Sequence, residues 1–99
     1  MQKISKEEIL KLKDKPEVSV VKFGITGCMP CAMAEETLNE MGLANVYSCD
    51  DTDYMGELNI ESMPVIYVYG NGKEARIDAY EVLDELEDVL VEVMDEVGA

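Results

Sequence analysis

Residues 18–34 read Val-Ser-Val-Val-Lys-Phe-Gly-Ile-Thr-Gly-Cys-Met-Pro-Cys-Ala-Met-Ala, and this stretch decides how the rest of the chain is read. The β-branched run from Val18 to Ile25 predicts a strand, and its valine content suits a buried central position. The run breaks at Gly27 and gives way to Cys28-Met29-Pro30-Cys31, after which a helical pattern follows at once. Cys28 therefore falls at or just before the first helical residue. Unpaired backbone N–H groups and the positive end of the helix dipole favour an anion there. For a cysteine that anion is the thiolate, so the Cys28 pKa is expected below that of a free thiol. Pro30 fits the first helical turn, where a missing N–H costs no hydrogen bond. A C-x-x-C beside a β-α-β pattern, in a chain of cytosolic character, signals redox chemistry.

Length and composition set the bounds. The 99 residues suffice for one domain spanning 1–99, large enough to bury roughly two thirds of its unfolded surface without staples. With 22 acidic and 8 basic residues, the net charge of −14 argues against nucleic acid or an anionic membrane surface as partner. No uncharged apolar stretch approaches the length of a membrane span. Residues 1–8, Met-Gln-Lys-Ile-Ser-Lys-Glu-Glu, carry no apolar signal-peptide core, so a cytoplasmic location is expected. Thiols are kept reduced there, and a C-x-x-C cycles rather than staples.

Along the chain, Ser5-Lys6-Glu7-Glu8 has the form of a capping box. Pro16 closes that short helix at about Asp14, and Met1 to Ile4 can add an edge strand. A helix is predicted over Met29–Met41 with Gly42 as its C-cap, its apolar spacing carried by Met33, Thr37, Leu38 and Met41. Residues 43–49 read as a second strand, and the acidic loop at 50–53 can cap a short helix over Tyr54 to Leu58. The apolar run Val65–Tyr69, the turn Gly70-Asn71-Gly72 and a return strand over Lys73–Ala79 form a predicted hairpin. A last helix over about Tyr80–Glu96 places Val82, Leu83, Leu86, Val89, Leu90, Val93 and Val97 on one stripe.

Met63-Pro64 opens the apolar run and has two readings. A proline beginning a strand can simply mark a sheet edge. Alternatively, a cis Met63–Pro64 bond facing the cysteines would leave the Met63 backbone free to pair with an extended substrate, a form of strand addition.

With these residues in view, the chain resembles the thioredoxin and glutaredoxin families. The resemblance is carried by Phe23-Gly24, by Gly27-Cys28-Met29-Pro30-Cys31, by Ile60 to Tyr69 around Pro64, and by Gly70-Asn71-Gly72. It implies a thioredoxin fold, an α/β architecture with a central mixed sheet of four to five strands flanked by helices on both faces. It also implies a thiol–disulfide oxidoreductase, a protein-disulfide reductant, in which Cys28 attacks and Cys31 resolves. Met29, Pro30, Met63 and cis-Pro64 would form the substrate platform. Disulfide-bearing proteins would be the substrates, and a thioredoxin-reductase-type enzyme or glutathione the electron donor. The only cofactor would be the redox-active Cys28–Cys31 disulfide, and a monomer is the family expectation. The alternatives are a non-catalytic binding module on the same fold and a glutathione-linked glutaredoxin.

The pattern departs from both families. Gly27 replaces the tryptophan that precedes the first cysteine in thioredoxins, Tyr80 falls near the glycine bordering their groove, and the glutaredoxin glutathione signature is not evident. Lys22 stands where thioredoxins carry a buried acid. Beneath the dithiol its ammonium would stabilise a thiolate but could not relay a proton as a carboxylate does. Otherwise it snorkels outward or pairs with Glu35 or Glu36. A zinc site is not expected, since Cys28 and Cys31 would need two further ligands and the chain has no histidine. Cys49 is expected to be a buried small hydrophobe, and the seven methionines mostly core.

Overall fold

The structure, a computed structural model describing residues 1–99, contains one five-stranded mixed sheet. The strands are β1 (Gln2–Lys3), β2 (Ser19–Phe23), β3 (Val46–Cys49), β4 (Val65–Gly70) and β5 (Lys73–Ile77), in the spatial order β1-β3-β2-β4-β5. β2 lies at the centre, parallel to β3 and antiparallel to β4, with Phe23 opposite Cys49 on one side and Val65 on the other. Every residue of β2 is buried, as its valine-rich sequence predicts.

Side chains alternate across the sheet and build a core on each face. On one face Val21, Phe23, Val65, Tyr67 and Tyr69 pack beneath α1 (Lys6–Ile9) and α3 (Thr52–Glu57). There the Phe23 ring meets Tyr54 and Tyr67 edge-on at 5.8 and 5.6 Å. On the other face Val20, Ile66 and Val68 pack beneath α2 (Met29–Met41) and α4 (Leu86–Gly98). Helices on both faces of a mixed five-stranded sheet match the expected α/β architecture.

Local signals set most boundaries. Ser5 and Glu8 form the reciprocal capping box that starts α1, and Asp51 caps α3 by accepting from the Tyr54 N–H at 3.0 Å. That cap lets α3 begin at Thr52, ahead of the predicted Tyr54. Gly42 ends α2 in the left-handed conformation, φ 64°. The hairpin turns through Asn71 and Gly72, both at positive φ.

Three expectations are corrected. The final helix does not run continuously from Tyr80: residues Ala79–Glu85 form a 3₁₀ segment broken at Val82, and α4 starts at Leu86. The reason is tertiary: Ala79, Val82 and Leu83 all turn toward the core, which takes Val82 out of helical geometry at φ −129°, while the Tyr80 N–H, a donor any helix start leaves unpaired, is anchored to the Pro64 carbonyl at 3.2 Å. On α2 the buried face is Cys31, Ala34 and Leu38, while Met33 is exposed. Of the methionines only Met55 is buried, whereas Met1, Met29 and Met33 are exposed.

Candidate functional site

The site forms where β2 ends and α2 begins. Gly27 adopts φ 85°, a left-handed conformation that costs glycine little and turns the chain from the sheet into the helix. Cys28 is the N-cap of α2, and its Sγ accepts from the Cys31 N–H at 3.3 Å. Cys28 and Cys31 are joined by a disulfide, with their Cα atoms 5.2 Å apart. Their exposures differ: Cys28 is half-buried, whereas Cys31 is 1% exposed.

Two hollows flank the cysteines. The first runs behind them and is lined by Lys22, Gly24, Cys28, Cys31 and Glu35, with Lys3 and Asp50 at its rim. By strand alternation Lys22 shares its sheet face with Val20, beneath α2. It is only 8% exposed, and its Nζ lies 3.4 Å from Glu35 Oε1. Glu35 is four residues beyond Cys31 on α2, so the two occupy one helix face. Gly24 closes this hollow: a Cβ there would lie 2.7 Å from Cys31 Sγ and 3.9 Å from Lys22 Cε. The lysine stem and the inner sulphur therefore share the space above Gly24. At the rim, the Lys3 hydrogen bond holds the Asp50 carboxyl below its ordinary range.

The second hollow is a groove on the outer side of α2. Pro30 and Met33 form one wall, and Tyr80, Val82 and Leu83 the other, with Glu81, Asp84 and Glu85 along its edge. Met29, 72% exposed, and the exposed Ile25, Met33 and Tyr80 give this end of the molecule an apolar surface. Pro64 is buried, its bond with Met63 is cis, and its carbonyl holds the Tyr80 N–H beside the groove. Because Phe23 pairs with Val65, Met63-Pro64 and the Gly24–Cys28 turn lie at the same end of the sheet. The Met63 side chain packs inward against the core beneath α1 and α3.

Cys49 is a free, buried thiol in that same core, on the sheet face opposite Lys22. Burial pushes its pKa up, which suits an inert packing group. Gly24 and Met33 were not legible as site residues. The signal for Gly24 is a glycine directly after a buried strand, where a close approach of another chain segment is one standard cause.

This order of strands and helices, with a disulfide-linked C-x-x-C at the start of α2, is the thioredoxin fold. Solved thioredoxins share it. One from Malassezia sympodialis, 20% identical, superposes with a TM-score of 0.70 over 100% of this chain and 91% of its own. A mutant thioredoxin of Halobacterium salinarum NRC-1, 14% identical, gives a TM-score of 0.73 over 100% and 90%. Mitochondrial thioredoxin 3 of Saccharomyces cerevisiae in its oxidised form, 21% identical, gives 0.65 over 89% and 94%. No family model and no curated protein sequence matches the chain. At these identities the likeness establishes the fold, and the chemistry rests on the site itself.

Proposed function

We propose that the chain is a thiol–disulfide oxidoreductase that reduces disulfides in other proteins. The observation that carries this reading is the unequal exposure of two linked cysteines at a helix start. In the reduced protein, the outer Cys28 meets a substrate disulfide, and its thiolate is favoured by the helix N-terminus. Attack by Cys28 on one substrate sulphur forms a mixed disulfide and releases the other as a thiolate. The buried Cys31, losing its proton, then attacks Cys28 Sγ. That re-forms the Cys28–Cys31 bond and frees the second substrate thiol. The protein loses two electrons and the Cys31 proton, and the substrate gains both electrons and that proton, its other thiolate taking a proton from water.

The surroundings support a peptide substrate. Met29 and Pro30 offer an apolar rim, and the Met63–Pro64 backbone at the same end of the sheet suits an extended segment. Lys22, buried behind the cysteines, favours thiolate over thiol. A reducing compartment, the cytoplasm, would keep the dithiol charged from a thioredoxin-reductase-type enzyme or from glutathione. The protein would act there as a monomer without metal.

Insulin reduction driven by dithiothreitol tests the reading. The wild type should precipitate insulin well above the dithiothreitol background, Cys28→Ser should abolish the gain, and Cys31→Ser should accumulate a mixed disulfide. Wild-type turnover no faster than dithiothreitol alone would refute the proposal. A Cys28–Cys31 potential near or below about −230 mV fits a reductant, whereas one near about −120 mV fits an oxidant. Recycling with thioredoxin reductase plus NADPH, against glutathione plus its reductase, identifies the donor.

A further inference from the structure

Lys22 is the one charged side chain buried in this protein. A buried cation is costly unless paired, because the ammonium loses its hydration. Its only ion-pair partner is Glu35, at 3.4 Å, and the Glu35 side chain is 41% exposed. The pair is thus lopsided: the cation sits inside behind Cys31, and the anion stands half in water. Opening the Cys28–Cys31 bond places a second anion in the same hollow. With two electrons and one proton taken up, the disulfide becomes one thiolate and one thiol, and that thiolate competes with Glu35 for Lys22.

We infer that Glu35 is a positioning residue that holds Lys22 away from the cysteine sulphurs and so keeps the couple more reducing than Lys22 alone would make it. An ammonium near the sulphurs stabilises the thiolate and hence the reduced form, which raises the potential. A carboxylate that draws the same ammonium outward along α2 opposes that effect. The chain thereby carries a buried lysine beside its dithiol without becoming an oxidant. The other charges facing the hollow are Lys3 and Asp50, paired at 3.0 Å and both mostly exposed, so water screens them. Cys49 faces the opposite side of the sheet, and the N-terminus of α2 acts on the cysteines in every variant alike.

This inference rests on the dithiol reading above, and its test is independent of substrate turnover. Wild type, Glu35→Gln, Lys22→Met and the double variant are equilibrated in dithiothreitol redox buffers at neutral pH, and the dithiol fraction is read by thiol alkylation. Glu35→Gln should shift the equilibrium about tenfold toward the dithiol, equivalent to about 30 mV. Lys22→Met should shift it about tenfold the other way, and in that background Glu35→Gln should add less than about threefold. Glu35→Asp, which keeps the carboxylate, should restore the wild-type value. If Lys22→Met does not fold, Lys22→Gln replaces it with the same expectation. A Glu35→Gln equilibrium within about twofold of wild type, or an equal Glu35→Gln shift with and without Lys22, overturns the inference. Failure of insulin reduction with the expected shifts intact would instead overturn only the assigned activity.

Discussion

Replacing Gly24 by alanine adds one methyl group at the most crowded point of the site. The new Cβ would lie 2.7 Å from Cys31 Sγ and 3.2 Å from Cys31 Cβ, well inside van der Waals contact. In open space a glycine-to-alanine change stabilises by about 0.4–1 kcal/mol, through the lower entropy of the unfolded chain. Overpacking a tight core costs about 1–3 kcal/mol. In the oxidised protein the sulphur is tethered to Cys28 and cannot swing aside, so overpacking wins by about 1–2 kcal/mol. That is a fall in melting temperature of about 5–15 °C for a domain of this size. In the reduced protein Cys31 Sγ is free to rotate, and less than about half of the loss should remain. The couple should therefore become easier to reduce. Gly56 in α3 is the control, because nothing lies within 4 Å of its added Cβ. Gly56→Ala should raise stability by about 0.5–1 kcal/mol in both redox states. Thermal unfolding of each protein, with and without a phosphine reductant, reads these differences. A Gly24→Ala melting temperature within about 2 °C of wild type in the oxidised state would refute the packing argument. So would an equal loss in both states.

Two further outcomes follow from features outside the site. Asn71 sits at φ 55° in the hairpin turn, and its side-chain amide donates to the Val97 carbonyl at 3.2 Å, strapping the end of α4 to the sheet. Asn71→Ala should cost about 2 kcal/mol, combining the left-handed penalty with the lost strap, and an unchanged urea midpoint would exclude this. At the other end of the chain, hydrogen bonds from the Ser5 backbone and hydroxyl hold the Glu8 carboxyl below its ordinary range. A folded pKa below the unfolded one adds stability that is present above the unfolded value and is lost as pH falls through the folded one. The stability gap between wild type and Glu8→Gln should therefore be open near neutral pH and close in acid below about pH 4.5, in unfolding midpoints taken across that range. A gap that stays constant with pH would refute it.

The elements that matched their sequence reading are those governed by local rules. The capping box at Ser5–Glu8, the helix from Met29 to its left-handed stop at Gly42, and the Asn71-Gly72 turn each depend on residues within a few positions of one another. Two other features depend on distant partners and differ from the sequence reading: the start of the last helix and the buried face of α2. A hydrophobic stripe implies that a helix starts at Tyr80, but Ala79, Val82 and Leu83 all pack into the core, and the chain leaves helical geometry at Val82 to let them, so the first turns become a broken 3₁₀ segment. The periodicity of α2 permits either Met33 or Ala34 to face inward. Packing on β2 and β4 buries Ala34 and leaves Met33 as a wall of the groove.

The same division runs through the dithiol. By itself the sequence determined that two cysteines stand at a strand-to-helix junction, since Gly27, Pro30 and the change of periodicity are all local. It also placed a lysine, Lys22, in the strand that precedes them. Only the tertiary structure decided that Cys31 is sealed from solvent while Cys28 is not, that Gly24 presses on the inner sulphur, and that Lys22 reaches Glu35. Backbone conformation and capping are set by neighbours in sequence. Burial and charge pairing are set by how α2 lies across β2, which no short stretch of either element encodes.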